Sequence, residues 1–276
     1  MIKLIAIDLD GTLLNNEKKI SEKNRRILAQ AKARGIKVVI CTGRPLRAIR
    51  PYLEELNLKD AGDYSITFNG GLVQKNDTGE VMEKAALQLA DVQHLITLAE
   101  KLDLSLDVLS DEIVLNLPTS TNHPSIYGSL NPLLDCRPCE IADLTENRLY
   151  NKAVIAYHQE FLDEQIKKIP AAFREAYEII KTRNNLLEFM PKGITKAYGI
   201  ALLAKDLGIQ QAEVMAIGDE ENDLPMIQYA GIGVAMDNAV PIVKEAATIV
   251  TASNEADGVA LAIENYVLNK AEEILS

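Results

Sequence analysis

Two aspartates one residue apart, Asp8 and Asp10, stand where the first apolar run, Ile2 to Ile7, stops. Two close carboxylates repel each other unless a cation or a shared proton compensates, so the pair suits a bound metal or acid/base work. A short β-branched run cut off by acids and Gly11 reads as a buried parallel strand, and ligands of open α/β sheets sit at the carboxyl ends of such strands. The same letters also fit a plain turn.

Three further segments could do chemistry. Thr42-Gly43-Arg44 follows the run Ile36–Cys41; a hydroxyl and a glycine amide can both donate to a phosphate oxygen, although a strand-to-helix turn needs nothing more. Lys196 lies near the start of a helical stretch, where its charge opposes the helix dipole unless it reaches an anion; the ordinary alternative is a solvated lysine. Gly218-Asp219-Glu220-Glu221-Asn222-Asp223 follows the apolar Val214–Ile217. Acids favour the first turn of a helix, but hard oxygen ligands in this number also suit magnesium, which takes one or two carboxylates plus substrate phosphate and water.

The elements that must position these residues follow from periodicity and turn signals. Ser21 caps a helix to Arg34, Gly35 closes it, and strand Ile36–Cys41 follows. Pro45 starts a helix to Leu56, and strand Tyr64–Phe68 breaks at Asn69-Gly70-Gly71. Past the turn at Asn76–Gly79 the rhythm changes: a helix Asp91–Leu102, runs Ser105–Leu109 and Glu112–Leu117, loops around a short helix in Pro118–Pro138, strand Lys152–Tyr157, helix Glu160–Lys168, and strands Ala176–Lys181 and Leu186–Met190. From Thr195 the first rhythm resumes: helix Thr195–Leu207, strand Val214–Ile217, helix Glu221–Tyr229, strand Ile232–Ala235, helix Ala239–Ala246, strand Thr248–Val250 and helix Ala256–Val267. The expected architecture is α/β: a doubly wound parallel sheet from residues 1–82 and 191–276, with an α+β cap inserted at 83–190. All four chemical segments then fall at one edge of the sheet.

With 29 basic and 40 acidic residues the net charge is −11, which repels nucleic acid and anionic membranes, so neither is an expected partner. No signal peptide precedes the acids and no apolar stretch approaches a membrane span, so the expected location is the cytoplasm. Cys136-Arg137-Pro138-Cys139 has CxxC spacing, but no second pair accompanies it, and His94, His123 and His158 are scattered singly, which argues against zinc.

Asp8-Leu9-Asp10-Gly11-Thr12, with Thr42-Gly43-Arg44, Lys196 and Gly218-Asp219-x-x-Asn222-Asp223, resembles the four motifs of the haloacid dehalogenase superfamily, and more narrowly its Cof-type sugar-phosphate phosphatases. Ala230–Met236 and Glu255–Ala260 are also similar to that subfamily; Asp237 stands where it has glycine. The resemblance implies a Mg²⁺-dependent phosphatase of small phosphorylated metabolites. Asp8 would be the nucleophile and form an aspartyl phosphate, and Asp10 the general acid/base, with Asp8 beside it favouring its proton-bearing form. Magnesium would bind the Asp8 carboxylate, the Asp10 carbonyl and Asp219, with Asp223 holding a coordinated water. Thr42, Lys196, Asn222 and the amides of Leu9 and Gly43 would bind the phosphate oxygens. The stretch after Thr12 would form a mobile flap, and Arg44 stays open between substrate contact and support. The alternatives are a phosphomutase with the same four segments, or a phospho-accepting signalling module. Against the latter, no further aspartate follows Ile36–Cys41.

Overall fold

The computed structural model describes residues 1–110, 113–132 and 134–269. Glu112, expected at the head of a strand, lies outside the described residues, as do residues 270–276 of the C-terminal segment. The strands are β1 (Leu4–Ile7), β2 (Lys37–Cys41), β3 (Tyr64–Thr67), β4 (Leu72–Lys75) and β5 (Val81–Lys84), then β6 (Leu106–Ser110), β7 (Ile113–Leu117), β8 (Asp135–Pro138), β9 (Lys152–Ala156), β10 (Tyr177–Arg183) and β11 (Leu186–Pro191), and last β12 (Val214–Gly218), β13 (Ile232–Ala235) and β14 (Ile249–Val250). Two compact units result: Met1–Lys84 with the described part of Thr195–Ser276, and Ala85–Ile194.

The first unit is built on a sheet of order β14-β13-β12-β1-β2-β3-β4-β5. Its strands pair in parallel from β14 to β3, whereas β4 and β5 return antiparallel at one edge. The antiparallel return follows from the tight turn Phe68–Gly70, which reverses the chain without a crossover helix. After β1 the chain adds β2 and β3 on one side, and later β12, β13 and β14 on the other. The order therefore reverses beside β1, which is where α/β sheets place ligands. Ile5, Ile7, Val39, Ile40, Met215, Ile217 and Val234 form the buried interior. Runs apolar at every position, not at alternate ones, are what a sheet covered on both faces requires.

Helices supply that cover. Ser21 accepts from the Asn24 amide at 3.0 Å, as its position in the sequence predicts. The Asn24 side chain is buried and accepts in turn from Ala260 N at 2.9 Å, joining helix 22–33 to helix 258–263. Segment Glu221–Tyr229 departs from the expected single helix. A 3-10 turn Glu221–Asp223 comes first and the α-helix begins at Leu224.

The second unit has a sheet of order β10-β11-β9-β6-β7-β8. Helix Leu89–Lys101 packs its Val92, Leu95, Ile96 and Ala99 onto one face, with Leu106, Val108, Ala153 and Phe189 beneath. Lys152 and Glu188 form a buried ion pair at 2.5 Å. Residues 118–138, expected to be loop and short helix, end instead in β8, which adds parallel to β7 with Cys136 opposite Val114. Cys136 and Cys139 are free thiols, each pushed up in pKa by burial, the opposite of an activated redox pair. No helix among the described residues is long and apolar enough to cross a membrane.

One glycine is essential to the first unit. Gly70 has φ +98°, and a Cβ there would stand 1.9 Å from the Thr195 carbonyl oxygen. Gly70→Ala should therefore destabilise the protein by roughly 2 kcal/mol or more, read as a fall in thermal midpoint of at least about 4 °C. An unchanged midpoint would contradict this close approach.

Candidate active site

Strand register brings the chemical segments to one level. Ile7 of β1 lies opposite Ile40 of β2 and opposite Ile217 of β12, so the residues that follow, Asp8, Cys41-Thr42 and Gly218-Asp219, leave the sheet side by side. Lys196 comes to the same place as the first residue of helix Lys196–Asp206, whose N-cap Thr195 accepts from Tyr198 N at 3.4 Å. The lysine is fully buried, and its Nζ lies 2.6 Å from Asp8 Oδ1 and 2.6 Å from Asp223 Oδ1. A lysine against the helix dipole is thus explained by two anions.

Asp8, Asp219 and Asp223 are buried, with carboxylate oxygens that all lie within 4.8 Å of one another. Asp223 uses its second oxygen to accept from the backbone amides of Asp219 (2.9 Å) and Glu220 (3.1 Å), which also explains the 3-10 turn. Asp219 accepts from Thr12 Oγ1 at 2.7 Å and from Asn238 Nδ2 at 3.4 Å. Burial, followed by the charge of Asp223, pushes Asp8 up to about 7 against the pull of Lys196. Burial with the charges of Asp8 and Asp223 pushes Asp219 up to about 9. Burial disfavours the charged form of Lys196, but the carboxylates of Asp223 and Asp8 outweigh it and hold the ammonium above its usual range. Three carboxylates face one ammonium, so the set fits a divalent cation bound by hard oxygen ligands.

Asp10 overturns one expectation. Its carboxylate turns to Arg44, with Nε to Oδ2 at 2.8 Å and Nη2 to Oδ1 at 2.6 Å, and to Lys18 Nζ at 2.9 Å. Burial alone would raise its pKa, but the hydrogen bonds and charge of Arg44, with those of Lys18, hold it well below the usual carboxylate range. In this arrangement Asp10 is ionised, not the proton-bearing neighbour of Asp8 that the sequence suggested. Arg44, undecided from sequence, is the partner of Asp10 here. In the stretch after Thr12, Leu13 and Leu14 are fully buried and Asn254 Nδ2 donates to Leu14 O at 2.9 Å, whereas residues 16–19 are exposed.

Thr42 is buried at the tip of β2, its Oγ1 accepting from Arg44 N at 3.2 Å, and Leu9 is fully buried. Asn222 Nδ2 donates to Asn69 Oδ1 at 3.1 Å, and Gly43 lies against the same Asn69 side chain. Sequence reasoning missed two residues here. Asn69 had only the signal of an Asn-Gly turn. Asn238, whose Nδ2 also donates to Gly11 O at 2.8 Å, lay beside the noted Asp237. Asp237 itself has no left-handed backbone, so glycine is not needed there.

Residues 5–263 match the family of haloacid dehalogenase-like hydrolases. The chain is 40% identical over 270 residues to the protein YxeH of Bacillus subtilis (strain 168), covering 98% of this chain and 100% of that one. To YcsE of the same bacterium, named a 5-amino-6-(5-phospho-D-ribitylamino)uracil phosphatase, it is 33% identical over 273 residues, covering 97% and 96%. The solved structure of the haloacid dehalogenase subclass IIB sugar phosphatase BT4131 superposes with a TM-score of 0.80 at 28% identity, covering 96% and 98%. The chain belongs to the haloacid dehalogenase-like hydrolases, as an enzyme of their Cof-type phosphatase branch.

The buried carboxylates link stability to pH. Asp8 and Asp219 hold protons more tightly in the folded chain than at the unfolded value of about 3.9, so their contribution to stability is present at low pH and is lost as pH rises through about 7 and then about 9. Without divalent cation the thermal midpoint should therefore fall from pH 6 to pH 9, and magnesium should flatten that slope. Calorimetry in EDTA and in magnesium measures both. Parallel slopes would contradict a cation held by these carboxylates.

Proposed function

We propose that this chain is a magnesium-dependent phosphatase that hydrolyses small phosphomonoesters, sugar phosphates or phosphorylated cofactors, through an aspartyl phosphate on Asp8. The observation that carries the reading is the convergence of Asp8, Asp219, Asp223 and Lys196 in one buried cluster at the strand tips. An Asp8 oxygen attacks the phosphorus and the bond to the ester oxygen breaks. Asp10 gives its proton to the departing alkoxide, then takes one from the water that releases phosphate. Asp10 suits the second step as it stands. For the first, its carboxyl must leave Arg44 and Lys18 and acquire a proton.

The carboxylates of Asp8 and Asp219, with the Asp10 main-chain carbonyl, would hold the magnesium ion, and Asp223 would support it through water. Bound there, the ion would shield the attacking carboxylate from the phosphate dianion. Thr42, Lys196, Asn222 and the amides of Leu9 and Gly43 would take the phosphate oxygens, where transition-state charge spreads. Residues 83–190 hold none of these groups and are assigned to choosing the ester. A ribityl phosphate and a sugar phosphate, in the names of two relatives, both carry phosphate on a hydroxylated carbon chain, and the same class is proposed for this enzyme.

A panel of such esters, with p-nitrophenyl phosphate as a small undemanding one, assayed for inorganic phosphate tests the reading. EDTA should abolish release and magnesium restore it. Asp8→Asn should fall to background, and Asp10→Asn by roughly 10²–10⁴-fold. Full activity in EDTA would remove Asp219 as a metal ligand.

A further inference from the structure

We propose that Asn69 is a positioning residue that fastens the Thr42-Gly43 loop and Asn222 into one phosphate cradle. The inference rests on the reading of Thr42, Gly43 and Asn222 as phosphate donors. Asn69 sits in the turn after β3 and is fully buried. Its backbone is left-handed, with φ 53° and ψ 37°, a conformation that asparagine tolerates better than most residues. Held this way, it makes contacts in two directions. Its amide N donates to the Thr42 carbonyl at 3.0 Å, and its side-chain oxygen accepts from Asn222 Nδ2 at 3.1 Å. A Cβ on Gly43 would stand 3.0 Å from that same oxygen, so the loop and the side chain are in close contact.

The next residue extends the arrangement, because Gly70 lies directly against the Thr195 carbonyl, one residue before Lys196. A single turn thus touches the loop after β2, the start of the lysine helix and the loop after β12. Asn222 is the donor that most needs this help. Its amide carries two N–H groups; one is spent on Asn69, which orients the other for a phosphate oxygen. Without that partner the side chain would have to be ordered by the substrate itself, and phosphate binding would bear that entropy.

A double-mutant cycle on the magnesium-loaded protein tests the role, with the dissociation constant for inorganic phosphate measured by calorimetry. Asn69→Gly removes the accepting oxygen and keeps the left-handed backbone. Asn69→Gly and Asn222→Ala should each weaken phosphate by about five- to tenfold. The double variant should stay within about twofold of the weaker single one, because Asn69 acts through Asn222. Asn69→Ser, too short to reach Asn222, completes the same cycle should the glycine variant not fold. Unchanged binding in the Asn69 variant, or effects that multiply in the double one, would overturn the inference and leave the phosphate reading standing. Unchanged binding in Asn222→Ala would overturn both.

Discussion

A fully buried ammonium, Lys196 Nζ, sits 2.6 Å from an oxygen of Asp8 and 2.6 Å from one of Asp223, with Asp219 in the same cluster. Charges taken out of water are costly, and the cost is met only when each finds partners in good geometry. Much of the surrounding structure supplies those partners. Thr195 caps the helix that presents Lys196; two backbone amides complete Asp223; Thr12 and Asn238 complete Asp219. What remains are more carboxylates than the one ammonium offsets, and burial, followed by their mutual repulsion, raises the pKa values of Asp8 and Asp219. A site that strains the fold without a cation is one that gains stability on binding it. The proposed metal dependence of activity and the expected pH dependence of stability therefore share one cause.

Asp10 stands outside that cluster although it is two residues from Asp8. A bidentate pairing with Arg44 and a further contact with Lys18 keep its carboxylate ionised and turned aside. In the proposed reaction this group carries a proton in one half and accepts one in the other. The Arg44 pairing would thus weigh on the first half of the proposed reaction, and release of Asp10 from it would be part of that cycle.

How much of this could be read from the letters depended on the distance over which each interaction acts. β1, β2 and β12 were legible because their uninterrupted apolar runs end abruptly in Asp8, Thr42 and Asp219, and parallel pairing then places the three ends together. Lys196 was legible because a lysine opposing a helix dipole asks for an anion. Asn69 was not. Its meaning lies in a partner 153 positions away, and locally it reads only as a turn residue. The ionised state of Asp10 was misread for the same reason: Asp8 is two positions away in sequence, while the decisive guanidinium is 34 positions away. Strand β8 escaped notice because Asp-Cys-Arg-Pro has no apolar alternation, as is common for a strand at a sheet edge. The break before Leu224 is set by the Asp223 carboxylate reaching back to two amides, a contact that no helical periodicity reveals.

The proposed attack by Asp8 is tested most directly by rapid quenching of Asp10→Asn during turnover of a phosphate ester, followed by digestion and mass spectrometry. With p-nitrophenyl phosphate as the ester, whose leaving group needs no proton from Asp10, loss of the group that activates water should let the covalent species accumulate, and phosphate should be found on the tryptic peptide 4–18, labile to hydroxylamine as an acyl phosphate is. Continued release of inorganic phosphate with no phosphorylated peptide, or with the label on any peptide lacking Asp8, would contradict it.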